Sequence, residues 1–336
     1  MGRVIGVFSG KGGVGKTTFV ANIGVSLKKF NKNVVVIDSN FSTSHLGLHL
    51  GLYEDPKVTL REVLLKKASP TSALYIHPTT GLRLLPSPLN GYYNGTNLKD
   101  VENVVKQLKK DNDFVIVDAA PGLGREVVAV LGCIDEAIIV VTPDIPSVTD
   151  ALKTINLIKK VNDDIDILGL VVNRVRNEIH ELTKAEIESA CNIKVITYIP
   201  EDGRIPESIA KGVPVVQLHA YSKASIALNS LSAAIIGENY EPTNFIYKLM
   251  KMLGVIKEEF VTIPKISSRE EKEEKYERSK KSTRFRKMER EETERGEEEI
   301  RDIKKLRRDV SESIKSDIKN RLDMKIKEKL RERGIE

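Results

Sequence analysis

Short unbroken apolar runs recur along the first 240 residues. They fall at Val4-Ile5-Gly6-Val7-Phe8, Val34-Val35-Val36-Ile37, Phe114-Val115-Ile116-Val117, and over residues 136–141, 165–172 and 194–199. Runs of this length bounded by polar turns suit strands buried on both faces. Between them, segments 17–30, 98–110, 147–160 and 222–236 place apolar residues three and four apart, the spacing of a helix with one buried stripe. A short helix over 59–65 and a short strand over 81–86 complete the regular elements. Segment 68–78 and the Gly/Tyr/Asn-rich stretch 90–97 read as loops. Strands that alternate with helices, each strand a continuous apolar run, predict an α/β fold with a doubly wound, mostly parallel sheet.

Chemistry gathers where the first strand meets the first helix. Gly10-Lys11-Gly12-Gly13-Val14-Gly15-Lys16-Thr17 fits G-x-x-x-x-G-K-[ST] and has the strand before it and the helix after it that a phosphate loop needs. Glycines let the backbone turn so that several N–H groups converge on phosphate oxygens, and the helix points its positive end at the same anion. Lys16 is placed to reach the terminal phosphates and the Thr17 hydroxyl to ligate Mg²⁺. Lys11 is a second cation inside the loop. The runs 34–38 and 114–118 both end in a carboxylate, Asp38 and Asp118, at the strand end where ligands of parallel sheets bind. Asp118 is the candidate to hold Mg²⁺ through a water.

The string Lys11-Gly12-Gly13-Val14-Gly15-Lys16-Thr17-Thr18 resembles the deviant Walker A loop of the MinD/ParA ATPases, and residues 39–52 resemble the switch region of archaeal MinD-like proteins. The likeness spans about residues 2–240. It implies ATP and Mg²⁺ as cofactors, with Gly10 through Thr18 cradling the nucleotide, and a homodimer in which Lys11 crosses to the partner's ATP. Ala119-Ala120-Pro121-Gly122 is close to the family's second switch, where Gly122 could offer an N–H to the γ-phosphate. Asn173 stands where an asparagine meets adenine, and Pro200-Glu201-Asp202 is the loop that flanks the base. One position departs from the family. The second aspartate of Asp-x-Asp, which positions the attacking water, is Asn40, which carries no charge and accepts no proton. Slow hydrolysis is the implied result, with Asp38 the competing catalytic candidate and a plain turn residue the bland reading of Asn40. His45 and His49 lie at helical spacing; with no third ligand in view they read as partly exposed helix residues rather than a metal pair.

Composition adds a second region. Aromatics make up 5% of the 336 residues and charged residues 30%, so a globular domain is joined to a solvated charged segment. Three parts are expected: an ATPase domain over 1–240, an amphipathic segment over 241–263 and a charged tail over 264–336. In the second, Ile246, Leu249, Met250, Leu253 and Ile256 form one apolar stripe with lysines beside it, which suits a helix lying in an anionic membrane surface. The alternative is a helix docked on the domain. The tail reads as a disordered or helical segment that binds an unknown protein partner; interleaved glutamates make nucleic acid the lesser candidate. Cys133 and Cys191 have no C-x-x-C neighbour, which argues against a disulfide framework or an iron–sulfur carrier. With no apolar stretch near the ~18 residues of a membrane span, the expected location is cytoplasmic, peripheral on the inner membrane face. The lesser functional alternative is a ParA-like partition ATPase that binds DNA.

Overall fold

Each apolar run forms a strand whose successive side chains go to opposite faces of one eight-stranded sheet. The computed structural model describes residues 2–41, 44–89 and 98–242. The strands are β1 (Arg3–Phe8), β2 (Val34–Ser39), β3 (Tyr75–Ile76), β4 (Arg83–Leu85), β5 (Phe114–Ala119), β6 (Glu136–Val141), β7 (Asp166–Val175) and β8 (Val195–Pro200). Their order is β3-β4-β2-β5-β1-β6-β7-β8, and every pairing is parallel except β3 with β4. This is the doubly wound, mostly parallel sheet that the alternating pattern predicts.

Ten α-helices cover its faces: α1 (Lys16–Lys29), α2 (Leu46–His49), α3 (Leu60–Leu64), α4 (Val101–Lys110), α5 (Arg125–Leu131), α6 (Ile145–Val161), α7 (Lys184–Cys191), α8 (Arg204–Ala210), α9 (Val215–Leu218) and α10 (Lys223–Ile235), counted among the described residues. The two-residue period of the strands divides the core. Val35, Ile37, Val115 and Val117 pack with Val104, Val127, Val148 and Ile155 of α4–α6 on one face. Val34, Val36, Phe114 and Ile116 pack with Phe19, Ile23, Leu228 and Leu231 of α1 and α10 on the other. Continuous apolar runs are what this double burial demands.

Three features go beyond the hydrophobic pattern. Segment 68–78 is not all loop: Thr71–Ala73 makes a 3₁₀ turn and β3 adds an antiparallel edge to β4. Helices α5, α7, α8 and α9 are 4–8 residues long, too short for a periodic signal to stand out. Glu136 opens the run of β6 yet is only 1% exposed, because the Arg3 guanidinium grips both its oxygens and also donates to the Ile235 carbonyl. The expected loop at 90–97, the apolar stripe from Ile246 to Ile256 and the charged tail lie outside the described residues.

Candidate functional site

Strands β1, β2 and β5 are adjacent, so their carboxyl ends place three polar segments side by side. The loop from β1 turns sharply: Gly13 and Gly15 have φ of 82° and 90°, which favour glycine. Neighbours impose the same choice. A Cβ on Gly15 would lie 2.2 Å from Asn173 Nδ2, and one on Gly10 would lie 2.3 Å from the Asp150 carbonyl oxygen. Helix α1 starts at Lys16 with Gly15 as its cap, so no capping side chain competes for the first-turn amides. Those amides and the helix dipole form an anion site.

Lys16 and Thr17 occupy that first turn. Lys16 is 6% exposed, and its ammonium forms a buried ion pair with Asp118 at the end of β5. Asp38 is the register partner of Asp118 on β2 and is fully buried. Its carboxylate accepts from Ser44 Oγ at 2.7 Å, the Asn40 N–H at 3.0 Å and the Leu46 N–H at 3.1 Å. Burial first, and then the Asp118 charge, raise the Asp38 pKa to about 6. Asn40 is also buried, held directly after β2. Ser39 and Ser87 donate to the backbone carbonyls of Asp118 and Asp38 at 2.8 and 2.7 Å, fixing both strand ends.

The second switch and the base loop are placed as follows. Gly122 has φ of 86°, and its N–H donates to the Ser9 carbonyl at 3.1 Å, so it is tied to the foot of the phosphate loop. Glu126 on α5 accepts from the Phe41 backbone, one residue past Asn40, and burial raises its pKa. Asn173 Nδ2 donates to the Val14 carbonyl at 2.7 Å. That spends one of two amide hydrogens on bracing the loop and leaves an amide with capacity for a base. Pro200 pairs with Val175, the Glu201 N–H donates to the Val175 carbonyl at 3.0 Å, and Asp202 accepts from the Arg204 N–H at 3.0 Å. These bonds set the base loop beside the end of β7.

Lys11 behaves unlike Lys16. It is exposed, and with Gly12 and Gly13 it borders an open cleft of about 290 Å³ whose other walls include Asp144, Arg174 and Arg176. Sequence reasoning missed Ser44, Glu126 and these arginines, because each acts through a contact that only the fold creates. His49 is partly exposed on α2, as its spacing predicts, and Thr18 Oγ1 lies 3.1 Å from its Nε2.

The donor set fits Mg²⁺. Asp38, Asp118 and the Thr17 hydroxyl are hard oxygen donors, and Mg²⁺ needs few protein ligands because it keeps waters and takes phosphate oxygens. Burial first and then the Asp118 charge raise the Asp38 pKa, and a divalent cation would offset the second of these.

Comparison with known proteins agrees with this geometry. Residues 5–215 match the CobQ/CobB/MinD/ParA nucleotide binding domain. An uncharacterized ATP-binding protein of Methanocaldococcus jannaschii is 36% identical over 260 residues, covering 75% of this chain and 97% of its own length. The septum site-determining protein MinD of Synechocystis is 32% identical, covering 78% of this chain and 99% of that protein. The solved structure of MinD from Pyrococcus horikoshii, complexed with Mg-ADP, superposes with a TM-score of 0.66 at 29% identity over 70% of this chain and 97% of its own. The chain belongs to the MinD/ParA branch of this nucleotide-binding family.

Proposed function

We propose that the chain is an ATPase that binds ATP and Mg²⁺ at the β1–α1 loop, closes into a homodimer around nucleotide and positions partner proteins at a membrane surface. The observation that carries this reading is the contrast between two lysines five positions apart in the same loop. Lys16 is buried on Asp118 inside its own subunit, whereas Lys11 is exposed and borders an open cleft lined by Arg174, Arg176, Asp144 and Glu181. A buried lysine serves the phosphates of its own loop; an exposed one is free to reach across an interface.

The residues divide the work. First-turn amides and Lys16 bind and orient the phosphates; Thr17, and Asp118 through a water, would hold Mg²⁺, which would neutralise phosphate charge. Gly122 reports the γ-phosphate by trading its bond to Ser9. Asn173, Pro200, Glu201 and Asp202 enclose the base. Asn40 holds the attacking water by hydrogen bonds alone, so turnover is slow and the closed dimer long-lived. Asp38 organises the segment after β2. In the proposed division of the chain, 1–240 is the ATPase, 241–263 the membrane segment and 264–336 a partner-binding tail. Two weak amphipathic helices joined in one dimer bind far better than one, which makes docking depend on nucleotide.

The experiment is light scattering and vesicle sedimentation with and without ATP. Lys16→Ala should lose nucleotide binding. Lys11→Ala should bind ATP as a monomer and fail to dimerise; an ATP-induced dimer in that variant would falsify the lysine assignment. Wild type should sediment with anionic vesicles only with ATP, and Leu249→Glu or Leu253→Glu should abolish this while nucleotide binding persists. Sedimentation with DNA instead of vesicles would transfer the protein to a partition role.

A further inference from the structure

His49 is the last residue of α2, in the segment that follows Asn40, and it closes back on the phosphate-binding helix. Its Nδ1 lies 2.9 Å from the His45 carbonyl oxygen and its Nε2 lies 3.1 Å from Thr18 Oγ1. A carbonyl only accepts, so Nδ1 must carry the hydrogen of the neutral ring. Nε2 is then a bare acceptor, and the Thr18 hydroxyl must donate to it. Thr18 has one hydrogen. While His49 holds it, the Thr18 oxygen can offer a phosphate only lone pairs. Thr18 stands in the first turn of α1, among the amides that form the anion site.

On the reading that this loop holds a nucleoside triphosphate, we propose that His49 takes up a proton when the triphosphate binds, releasing the Thr18 hydroxyl to donate to a phosphate oxygen, so that nucleotide binding is linked to pH. The proton comes from solvent and forms an N–H bond at Nε2; that N–H then donates to Thr18 Oγ1, while Nδ1 keeps its bond to His45. Nothing else is consumed. The chain Nε2–H to Thr18 to phosphate satisfies every donor, and it places a cation beside the incoming anion.

The charged surroundings allow the change. Burial holds the His49 pKa below its ordinary value in the free protein, so the ring is neutral there. Asp118 on β5 favours the cation, while Lys16 on α1 and His45 at the N-cap of α2 oppose it. Helix α8, which also packs on α2, carries Arg204 and Glu207 with Lys211 at its C-cap, and Glu207 is already bonded to Lys211 and His219. A bound triphosphate neutralises the opposing Lys16 and, even with its Mg²⁺, adds net negative charge, so it raises the His49 pKa. Affinity should therefore tighten as pH falls through the window between the free and bound values.

The test is calorimetric titration of the full chain with ATP and Mg²⁺ at several pH values, each in two buffers of different ionisation enthalpy. The variants are His49→Gln, whose amide oxygen keeps an acceptor for Thr18 but does not titrate, and Thr18→Val. Between pH 7.5 and 6.5 the wild type should gain about threefold more affinity than His49→Gln, against a ceiling of about tenfold per pH unit for one whole proton. It should also take up a measurable fraction of a proton more. Protonation of ATP itself, and of Asp38, is common to both and cancels. Thr18→Val should lose the same excess, because it breaks the chain of donors. Equal proton uptake in wild type and His49→Gln would overturn the proposal. Full uptake retained in Thr18→Val would overturn the route through the hydroxyl. No ATP binding by the wild type would instead overturn the nucleotide reading itself.

Discussion

Strands β2 and β5 lie side by side, and each is an apolar run that ends in an aspartate. Asp38 and Asp118 are register partners, both fully or almost fully buried, yet they do different work. Asp118 forms a buried ion pair with the Lys16 ammonium. Asp38 meets neutral donors only, a hydroxyl and two backbone amides, and its pKa rises to about 6. One carboxylate is matched to a cation in the phosphate loop, and the other is a hub that ties Asn40, Ser44 and Leu46 to the end of β2. The same local sequence pattern thus yields two roles, decided by what the rest of the chain brings to each carboxylate.

Removing Asp118 should break the comparison most severely. Asp118→Ala strands the Lys16 ammonium at 6% exposure without its partner, and breaking one side of a buried pair costs about 3–5 kcal/mol. It also removes the proposed Mg²⁺ ligand. Mg-ATP affinity should fall by at least about 100-fold, read by calorimetry, with a melting temperature well below wild type. By contrast, Ser44→Ala at the Asp38 hub deletes one neutral donor and should cost about 1–2 kcal/mol in stability. If the two variants lose equal nucleotide affinity, the division between anchor and hub is wrong.

Much of this site is legible in the sequence, and the reason is local. The phosphate loop needs glycines, a lysine and a hydroxyl at fixed spacing, and the strands that present Asp38 and Asp118 are continuous apolar runs. Local geometry is therefore written in local residues. Contacts closed over long sequence separations are a different matter. Nothing near Asn173 says that its amide braces Val14, 159 positions away, and nothing near Glu126 says that it reaches the Phe41 backbone. His49 shows the limit most clearly. Its spacing from His45 is visible and suggests a helix, but the half-buried seat on Thr18 depends on how α2 packs against α1.

The Asp38 hub also makes stability depend on pH. An aspartate in the unfolded chain has a pKa of about 3.9, whereas folded Asp38 titrates near 6. The native state therefore holds the proton more tightly. Stability from this group is intact below about pH 4, falls as pH rises from about 4 to 6, and stays low above that. Asp38→Asn does not titrate and should lack this slope. The amide has to face the Leu46 N–H or the Asn40 N–H with a donor of its own, at a cost of about 1–3 kcal/mol at every pH. The informative quantity is the melting-temperature gap between variant and wild type without nucleotide. It should narrow by several degrees from pH 5 to pH 7.5, at about 2–4 °C per kcal/mol for a domain of this size. A gap that does not change with pH would mean that Asp38 titrates normally.

The smallest effect is expected at Asn40, and it runs in two directions. Asn40 is 7% exposed and its N–H is bonded to Asp38. Asn40→Asp adds a carboxylate beside a buried one that already resists ionisation, with Asp118 the next strand over. The free protein should lose about 1 kcal/mol or more, because like charges at close range each disfavour the other's ionised form. During turnover the balance reverses. A carboxylate at position 40 can orient the attacking water more strongly and take its proton, so single-turnover hydrolysis should rise about tenfold, less than the ~100-fold or more of a fully positioned general base. ATP affinity should change little, since the phosphate-binding groups are untouched. Brisk hydrolysis by the wild type, unimproved in Asn40→Asp and abolished in Asp38→Ala, would make Asp38 the catalytic carboxylate. The hub would then also be the base, and β2 rather than β5 would carry the chemistry.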